Sequence, residues 1–475
     1  MNIVMIGAGY VGLTTGACLA HLGHSVTCVE SDPRRLGPLR AGDIPIYEPG
    51  LADVVQACRL SGRLQFADPD TPALGTADVV MLAVGTPSGA DGDIDLAQIH
   101  EAARQIAPRL RPGAVIAIKS TVVAGTARSV AALVARARGA GDVAVVSNPE
   151  FLREGSALAD FLTADRIVVG ADDPAAAGVM AALYAPLTEQ GVPYVRTGTI
   201  DAELIKYAAN ACLALRIGFV NELADLCEAA GGDIARVTEG IGLDSRIGPR
   251  FLQAGPGFGG SCFPKDTRAF AATGRRLGAR QTVIEALIAA NEARKTALAG
   301  RILQALDARQ NGTERRPRRV AVLGMAFKAG TDDVRDAAAL SVVPALTAAG
   351  VTVTGHDPKA RDQAAALLPG VGWADDPYDA AAGADAVVIL TEWEEYRRLD
   401  LGRLAQRMSG KLLFDFRNLL CPDAAARAGL DCIGIGRAAP PGTTPAQHGT
   451  APKGSGGHAR VRRGTGWLQV AASPS

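Results

Sequence analysis

The sequence predicts an α/β protein in which two doubly wound domains are joined by a helical central region and followed by a disordered C-terminal tail. Two stretches alternate short, apolar, β-rich runs with amphipathic helical segments, and the stretch between them shows helical periodicity without strand signals. The final stretch is rich in Pro, Gly, Ser and Thr and cannot bury enough apolar surface to offset its ordering entropy. With 475 residues, the chain is too long for one hydrophobic core, and common domain sizes predict about three domains.

The first α/β domain is expected at residues 1–200. Helical stretches such as Val11–Leu22 and Leu96–Leu110 lie between its strands. Near-continuous apolar strands separated by helices predict a parallel sheet that is covered on both faces. The strands are predicted at Ile3–Ile6, Ser25–Glu30, Asp78–Val84, Val115–Lys119, Val143–Ser147 and Arg166–Val169.

The rest of the chain is expected to divide into residues 201–310, 311–437 and 438–475. The first of these is the helical region, which a glycine-rich loop at Gly255–Gly260 interrupts. A basic, polar connector at Asn311–Arg319 opens the second α/β domain, and the last segment is the predicted tail. The strands of the second domain are predicted at Val320–Leu323, Val351–Thr354, Ala386–Leu390 and Leu412–Phe416.

Charge and hydropathy exclude several classes of function. Lys+Arg and Asp+Glu are both 49, so no global field favours nucleic acid or an anionic membrane. The longest purely apolar run, Val79–Val84, is far too short to span a bilayer. Met1 leads directly into a strand and a glycine-rich turn, without the basic and apolar regions of a secretory signal. We therefore expect a soluble, cytoplasmic protein that binds neither nucleic acid nor membrane.

Eight cysteines are scattered along the chain without a C-x-x-C pair or clustered histidines. This distribution argues against a zinc site and against a disulfide framework, so no metal is expected. Seven of the cysteines are interpreted as small hydrophobes that serve packing, whereas Cys262 lies in a polar, glycine-rich loop.

The sequence G-x-G-x-x-G, formed by Gly7, Gly9 and Gly12, follows the first strand and opens the first helix. In that context the glycines provide a tight turn, close approach of the backbone to a pyrophosphate, and close packing of helix on strand. The helix N-terminus adds free N–H groups and a partial positive charge. Glu30 closes the next strand, where an acid can bind ribose hydroxyls and repel a 2′-phosphate. The first domain is therefore predicted to be Rossmann-like and to bind NAD; an unliganded glycine turn is the alternative.

The segment from Phe258 to Asp266 places the thiol of Cys262 in a glycine-lined loop beside ionisable groups. Glycines allow a ligand to approach closely, and a nearby lysine or helix terminus can favour the thiolate. A thiolate beside a nicotinamide can add to an aldehyde, and loss of hydride from the adduct gives a thioester that water hydrolyses. The alternative is an inert cysteine in a tight turn.

Three further groups of polar residues are candidates for the same site. Lys206 and Asn210 share one helix face at i and i+4 and could stabilise an oxyanion, although a surface lysine is the usual interpretation. Thr121 and Glu150 follow strands of the first domain, at the sheet edge where α/β proteins bind ligands. Thr121 could order a water and Glu150 could accept its proton, or they could form a strand-end turn and a helix cap.

Seven segments, in order and with matching spacing, resemble the UDP-glucose 6-dehydrogenase family over about residues 1–437. The fold of that family agrees with the one expected from the patterns above, with a second Rossmann-like domain that holds a UDP-sugar. The matching segments are Gly7–Leu13, Lys119–Thr126, Asn148–Ala157, Glu203–Asn210, Asn221–Ala224, Gly257–Asp266 and Gly324–Ala338.

The resemblance implies a four-electron oxidation of the sugar C6 alcohol to a carboxylate, with two NAD⁺ reduced in turn. Cys262 would be the nucleophile that forms the thiohemiacetal and the thioester. Lys206 and Asn210 would stabilise oxyanions, and Lys206 would also assist deprotonation of the alcohol. Asp266 would help to position or activate water, while Thr121 and Glu150 would order that water and support hydrolysis of the thioester. The product, UDP-glucuronate, feeds polysaccharide biosynthesis in many members of the family.

The resemblance also assigns binding positions and a partner. The Arg246 equivalent reaches in from a neighbouring subunit in the family, which implies a homodimer or a larger homo-oligomer. Positions that match cofactor contacts are Gly7, Gly9, Tyr10, Val11, Gly12, Glu30, Arg35, Thr86, Thr121, Glu154 and Arg335. Positions that match nucleotide-sugar contacts are Glu150, Phe151, Leu152, Arg153, Glu154, Lys206, Asn210, Arg246, Phe251, Leu252, Gly255, Gly259, Lys328 and Arg417.

The chain departs from the family pattern at three positions. Glu30 stands where Asp is common, His356 where Tyr is common, and Phe416 where Gly is common. Sister enzymes that oxidise GDP-mannose or a UDP-N-acetylhexosamine remain an alternative, since the patterns do not reveal the base or the sugar. A two-electron dehydrogenase would not need the thiol, and a non-catalytic NAD sensor would not need the full set of polar residues.

Overall fold

The structure, a computed structural model, describes residues 1–89, 92–309 and 317–437. Within these residues, two sheets with helices on their faces are separated in the chain by four helices. The predicted tail and most of the predicted connector lie outside the described residues. The α/β fold class with a helical central region is confirmed.

The first sheet contains eight strands among the described residues. They are β1 (Asn2–Ile6), β2 (Ser25–Val29), β3 (Leu64–Ala67), β4 (Val79–Leu82), β5 (Val115–Ile118), β6 (Ala144–Ser147), β7 (Ile167–Gly170) and β8 (Tyr194–Thr197). Their order across the sheet is β3-β2-β1-β4-β5-β6-β7-β8. All six predicted strands are present, whereas β3 and β8 were not predicted because each is a four-residue edge strand with polar residues.

The prediction that this sheet is entirely parallel is wrong at one pair. β6 and β7 pair in antiparallel orientation, with Ser147 opposite Gly170, and the other neighbouring strands pair in parallel. After β6 the chain stays at the carboxyl edge of the sheet, where residues 150–155 contact the second α/β unit. β7 therefore enters from that edge and runs in the opposite direction. Apolar content alone does not report strand direction.

Helices cover both faces of the first sheet. Ile3 and Met5 of β1 pack into the core on one face and Val4 packs into the core on the other, as the two-residue period of a strand requires. The predicted helix Leu96–Leu110 is an α-helix continued by a short 3₁₀ helix, Ala107–Arg109. The helices are α1 (Tyr10–His21), α2 (Pro33–Ala41), α3 (Leu51–Leu60), α4 (Ala97–Ile106), α5 (Thr126–Arg138), α6 (Ala157–Leu162) and α7 (Pro174–Thr188).

The central region contains α8 (Thr199–Ala230), α9 (Ile234–Gly242), α10 (Phe263–Arg276) and α11 (Thr282–Arg309). Residues 243–262, which include the predicted glycine-rich loop, connect α9 to α10 without regular structure beyond turns. α8 packs against α10, α11 and strands β6 and β7, so it brings its polar side chains to the carboxyl edge of the first sheet.

The second sheet has six described strands, all paired in parallel. They are β9 (Arg319–Leu323), β10 (Thr352–His356), β11 (Gly372–Trp373), β12 (Ala386–Ile389), β13 (Leu412–Asp415) and β14 (Asp431–Gly434). Their order across the sheet is β11-β10-β9-β12-β13-β14. The associated helices are α12 (Ala339–Ala348), α13 (Arg361–Leu367), α14 (Pro377–Ala380), α15 (Glu394–Arg397), α16 (Leu401–Arg407) and α17 (Pro422–Arg427). The four predicted strands are confirmed, and the edge strands β11 and β14 were not predicted.

Two of the cysteine predictions are wrong. Cys212 on α8 and Cys421 before α17 are exposed, because helical periodicity does not show which faces a neighbouring element covers. Cys432 is half-buried, and the remaining cysteines interpreted as packing residues are buried. In the part of the chain that the structure describes, no helix is long and apolar enough to cross a membrane.

Candidate active site

The glycine turn after β1 has the shape that a dinucleotide requires. Gly7 has a φ of +98°, and a Cβ there would lie 2.6 Å from the carbonyl oxygen of Ala83. A Cβ on Gly12 would lie 1.9 Å from the carbonyl oxygen of Gly7, so only glycine permits this close packing of helix on strand. A Cβ on Gly9, by contrast, would meet no neighbouring group within 4 Å, which leaves open space beside the N-terminus of α1. The turn therefore fits a pyrophosphate group.

Other predicted cofactor residues lie beside this turn or in loops at the carboxyl ends of neighbouring strands. Glu30 is buried at the end of β2, where its Oε1 accepts a hydrogen bond from the N–H of Asp32 at 3.0 Å. Arg35 lies 3.6 Å from Glu30 and donates to the carbonyl oxygen of Ala8 at 3.3 Å. Within α1, Tyr10 and Val11 form the start of the helix. Thr86 and Thr121 lie in the loops after β4 and β5, and both are half-buried.

Cys262 lies immediately before α10, at the end of a loop whose conformation depends on glycine. Gly257 and Gly260 have φ values of +112° and +84°, in the left-handed region that favours glycine. The side chain of Asn291 on α11 fixes the loop by accepting from the N–H of Phe258 at 2.8 Å and donating to its carbonyl oxygen at 3.0 Å. The loop that carries the thiol is therefore held by α11 through Asn291.

Lys206 and Glu150 form a buried ion pair at the carboxyl edge of the first sheet. Lys206 Nζ donates to Glu150 Oε1 at 3.0 Å, and Glu150 Oε2 accepts from the N–H of Leu152 at 2.5 Å. Burial alone would raise the pKa of Glu150, but Lys206 and the backbone donor lower it below its usual range. Burial would lower the pKa of Lys206, but Glu150, Cys262 and Asp266 together raise it. Both groups are therefore charged, and the interpretation of Lys206 as a surface lysine is wrong.

Asn210 and Asp266 form a second buried pair one helical turn away. Asn210 Nδ2 donates to Asp266 Oδ2 at 2.6 Å, and Lys265 donates to the other carboxylate oxygen at 2.8 Å. Lys206 and Asn210 share one face of α8, as their spacing predicts. An amide nitrogen carries two hydrogens and an ammonium three, so each keeps a donor for a ligand after its internal bond is made.

The ionisation of the Cys262 thiol is opposed by most of its surroundings. Burial raises its pKa above the ordinary value, Lys206 lowers it, and the carboxylates of Glu150 and Asp266 raise it again. The lysine that favours the thiolate is Lys206 on α8, and it does not outweigh the other effects. The thiol keeps its proton until a reaction step removes it. Within the described residues, no cluster of three or more potential ligands could hold a metal ion.

Glu154 connects this site to the second α/β unit. Its Oε1 accepts from the hydroxyl of Ser261 at 3.2 Å and lies 3.6 Å from Arg335, while Oε2 accepts from Thr331 at 2.8 Å. Its backbone carbonyl accepts from Lys328 at 2.7 Å. Three predicted residues, Glu154, Lys328 and Arg335, are thus adjacent although they are far apart in sequence.

Other predicted sugar-nucleotide residues line the same loops or support them. The ring of Phe151 lies 5.3 Å from Lys206 Nζ, and Leu152 supplies the N–H that Glu150 accepts. Arg153 is paired with Asp160 at 2.5 Å, so its guanidinium is already engaged within the first α/β unit.

The loop before Cys262 holds the remaining glycine and apolar candidates. Phe251 has an unusual φ of +61° and packs edge-on against Phe263, while Leu252 is buried. Gly255 donates its N–H to Asn221 at 2.8 Å. A Cβ on Gly259 would lie 2.5 Å from the carbonyl oxygen of Asp336, so this glycine permits contact with the second α/β unit.

Arg417 follows β13 and faces the same loop. It donates to the carbonyl oxygens of Leu390 at 2.8 Å and Phe327 at 2.7 Å, and a Cβ on Gly255 would lie 3.4 Å from its Nη1. The neighbouring Phe416 is fully buried in the core with Phe414, so its bulk does not enter this loop region. His356 is also buried, and its Nδ1 lies 2.9 Å from the hydroxyl of Tyr396. Phe416 and His356, two of the departures from the family pattern, therefore change the packing of the core.

Arg246 is exposed and pairs with Asp244 at 2.6 Å. Within the described residues, it makes no hydrogen bond or ion pair with another predicted site residue.

Comparison with known proteins agrees with this arrangement. Residues 1–188, 200–293 and 321–422 match the NAD-binding, central and UDP-binding domains of one family. The chain belongs to the UDP-glucose/GDP-mannose dehydrogenase family. It is 48% identical to a UDP-glucose 6-dehydrogenase of Rhizobium meliloti (strain 1021) over 440 residues, which cover 92% of this chain and 100% of that protein.

Two solved structures of dehydrogenases show the same fold. A UDP-glucose dehydrogenase from the hyperthermophilic archaeon Pyrobaculum islandicum has a TM-score of 0.80 and 40% identity, covering 88% of this chain and 94% of its own. A UDP-D-ManNAc dehydrogenase from Pyrococcus horikoshii also has a TM-score of 0.80 but only 26% identity, and the match covers 92% of this chain and 99% of that one. The present chain is thus an NAD-binding dehydrogenase, and the fold alone does not separate the two kinds of relative.

Sequence reasoning assigned no role to several buried charged residues of this dehydrogenase, and three of them are Glu48, Glu203 and Lys119. Glu48 accepts backbone hydrogen bonds from Gly155 and Ala157, and Glu203 accepts them from Gly125 and Ala127. Lys119, which follows β5, is buried behind Glu150, and burial lowers its pKa to about 8. Spacing could not reveal them, because their partners are distant in the chain.

Proposed function

We propose that this protein is an NAD-dependent UDP-glucose 6-dehydrogenase that oxidises UDP-glucose at C6 to UDP-glucuronate. The observation that carries the proposal is the convergence of Cys262 with two buried polar pairs, Lys206–Glu150 and Asn210–Asp266. A dehydrogenase that removes only two electrons has no use for a nucleophilic thiol. The 48% and 40% identities to UDP-glucose dehydrogenases, against 26% to the UDP-D-ManNAc enzyme, support the choice of sugar.

The first half of the reaction converts the C6 alcohol to an aldehyde, with loss of a hydride from C6 and of the hydroxyl proton to water. Gly7–Gly12, Glu30 and Arg35 would hold NAD⁺, which would supply the hydride acceptor for both oxidations. Lys206 keeps two N–H donors after its bond to Glu150, and Asn210 keeps one after its bond to Asp266, so both can hold the C6 oxygen. These donors are placed before the reaction, so they stabilise the developing oxyanion without reorganisation.

The second half proceeds through Cys262. The sulfur bonds to the aldehyde carbon while the thiol proton passes to the carbonyl oxygen, which gives a thiohemiacetal. Loss of a second hydride from C6 and of the hydroxyl proton leaves a thioester. Water then attacks the thioester carbonyl, the C–S bond breaks, and the sulfur recovers a proton as the carboxylate forms. Glu150 and Asp266 would accept the proton from this water, and Thr121 would order the water.

The nucleotide sugar is held between the two α/β units. Support comes from the loop at residues 150–155, which meets Lys328 and Arg335 through Glu154, and from Arg417 beside Gly255. In this proposal, residues 1–200 bind NAD, 201–310 carry the thiol and the subunit contact, 311–437 bind the UDP-sugar, and 438–475 form a tail.

A homodimer in the cytoplasm is part of the proposal, with the product used in polysaccharide biosynthesis. α8 exposes an apolar stripe at Leu215, Phe219 and Leu226, residues that are spaced to share one helix face. Such a stripe on a long helix suits contact with a second copy. Arg246, which is exposed and paired with Asp244, would then reach the site of the partner subunit.

The test is NADH release from a panel of UDP-glucose, UDP-N-acetylglucosamine, UDP-N-acetylmannosamine and GDP-mannose. We expect two NADH per UDP-glucose consumed, and Cys262→Ala protein that still binds NAD⁺ but forms no uronate. A ratio of one NADH, or full turnover by the variant, would contradict the thioester mechanism. Preference for another nucleotide sugar would identify a sister enzyme instead.

A further inference from the structure

Glu48 is a buried carboxylate that lies between the cofactor turn and the loop assigned to the nucleotide sugar. It accepts a hydrogen bond from the hydroxyl of Tyr10, the first residue of α1. Its Oε2 also accepts from the N–H of Gly155 at 2.7 Å, and its Oε1 accepts from the N–H of Ala157 at 2.8 Å. These contacts join two segments that are separated by more than 100 residues of sequence.

These three groups are the hydrogen-bond donors to the Glu48 carboxylate among the described residues. Glu48 is 6% exposed and takes part in no ion pair with a lysine or arginine there. A buried carboxylate without a cation depends on each of its hydrogen bonds, because an unsatisfied charge is costly in a low dielectric. When one donor becomes better ordered, the carboxylate is fixed more firmly and its bonds to the other donors strengthen.

The loop that Glu48 holds is also fixed on its other side. Gly155 has a φ of +81°, and a Cβ there would lie 2.7 Å from the carbonyl oxygen of Gly330. The adjacent Glu154 contacts Lys328 and Ser261, the neighbour of Cys262. A small shift at Gly155 is therefore transmitted to the residues that surround the thiol.

We propose that the chain Tyr10–Glu48–Gly155 couples dinucleotide binding to nucleotide-sugar binding, with Glu48 as the positioning residue. A dinucleotide that packs against the glycine turn orders Tyr10, Tyr10 fixes Glu48, and Glu48 fixes the loop at residues 150–157. The proposal rests on the proposed function, since it takes NAD and UDP-glucose as the two ligands. By linkage, each ligand must then raise the affinity for the other by the same factor.

The experiment measures the dissociation constant of UDP-glucose by calorimetry, with and without saturating NADH. NADH replaces NAD⁺ so that no turnover occurs. We expect wild-type protein to bind UDP-glucose about tenfold more tightly with NADH than without it. For Tyr10→Phe protein, the ratio of the two dissociation constants should differ from one by less than about twofold. Phenylalanine keeps the ring and removes only the hydroxyl that reaches Glu48.

Tyr47→Phe is the matched control. Tyr47 is adjacent to Glu48, and Lys359 lies 4.7 Å from its ring, a contact that phenylalanine retains. This variant should keep the wild-type ratio. In Glu48→Gln protein the ratio should fall to near one, as in Tyr10→Phe, because an amide offers one acceptor oxygen for three donors.

Two outcomes would overturn the coupling: a wild-type ratio near one, or a tenfold ratio that persists in Tyr10→Phe. A merely structural role for Tyr10 would lower thermal stability and leave the ratio intact, so unfolding is monitored in parallel. If wild-type protein fails to bind UDP-glucose at all, the proposed function falls with the coupling. If it binds both ligands and the ratio is unaffected by Tyr10→Phe, only the coupling falls.

Discussion

Replacing Glu150 by glutamine removes one charge of the buried ion pair and almost nothing else. Lys206 is 3% exposed and Glu150 is 6% exposed, and their charged atoms are 3.0 Å apart. Glutamine has the same shape, so the perturbation is electrostatic. Lys206 would be left as a buried cation with a neutral neighbour.

The expected loss of unfolding free energy is about 3 kcal/mol at pH 7. Removing one partner of a buried pair costs about 3–5 kcal/mol, because the remaining charge stays desolvated. The low end applies here, since Asp266 also raises the pKa of Lys206 and so continues to favour its charged form. An exposed pair contributes about 0–1 kcal/mol instead.

The loss should depend on pH in a defined way. The pKa of Glu150 is lowered from 4.5, so its stabilising charge is fully present above pH 4.5 and is lost as the pH falls through the lower value. The pKa of Lys206 is raised from 10.5, so its contribution is fully present below pH 10.5 and is lost as the pH rises beyond that. The difference between wild type and Glu150→Gln should therefore shrink in acid, as Glu150 gains a proton. It should also shrink as the pH rises through about 8, because Lys119, whose pKa Glu150 raises, loses its proton there.

Urea unfolding followed by circular dichroism at several pH values measures this difference. Glu101→Gln is the control, because Glu101 forms an exposed ion pair with Arg104 on one helix face. It should change the unfolding free energy by less than about 0.5 kcal/mol. A loss below about 1 kcal/mol for Glu150→Gln at pH 7, or a loss that persists in acid, would refute the buried, charged pair.

Two further predictions concern the thiol and the glycine turn. Asp266→Asn should lower the pKa of Cys262 and Lys206→Met should raise it, because the carboxylate opposes the thiolate and the ammonium favours it. The rate of alkylation by iodoacetamide as a function of pH measures both pKa values. Shifts of the two pKa values in the same direction would contradict the assignment. Gly9→Ala should unfold like wild type but bind NADH about tenfold more weakly, since a methyl group would occupy the open space of the turn. Gly12→Ala should instead lose folded protein, because its Cβ would lie 1.9 Å from a backbone oxygen; equal effects of the two substitutions in thermal unfolding would be inconsistent with the geometry.

Several parts of the fold and site could be predicted because their signals are local. The glycine turn after β1 is visible in three residues, and alternating apolar runs located the central strands of both sheets. Edge strands such as β3 and β8 lack a long apolar run, since only one neighbour pairs with them. The direction of β7 depends on where the chain re-enters the sheet, which composition does not record.

The polar residues of the site were harder to interpret from sequence. Lys206 has the residue type of a surface cation, and only the packing of α8 against the first sheet shows that it is buried with Glu150. Glu48 could not be identified, because its partners Tyr10 and Gly155 are 38 and 107 residues away. Its role becomes visible only when the cofactor turn and the loop after β6 are close in space.

Local sequence specifies most of the helices and strands, the dinucleotide turn and the polar, glycine-rich surroundings of Cys262 along the chain, from Phe258 to Asp266. These features follow from backbone conformation and short-range periodicity, which neighbouring residues control. Tertiary packing decides which charges are buried, which are paired, and that the thiol of Cys262 keeps its proton. Burial and electrostatic surroundings are set by segments that are distant in the chain, so no local pattern can specify them.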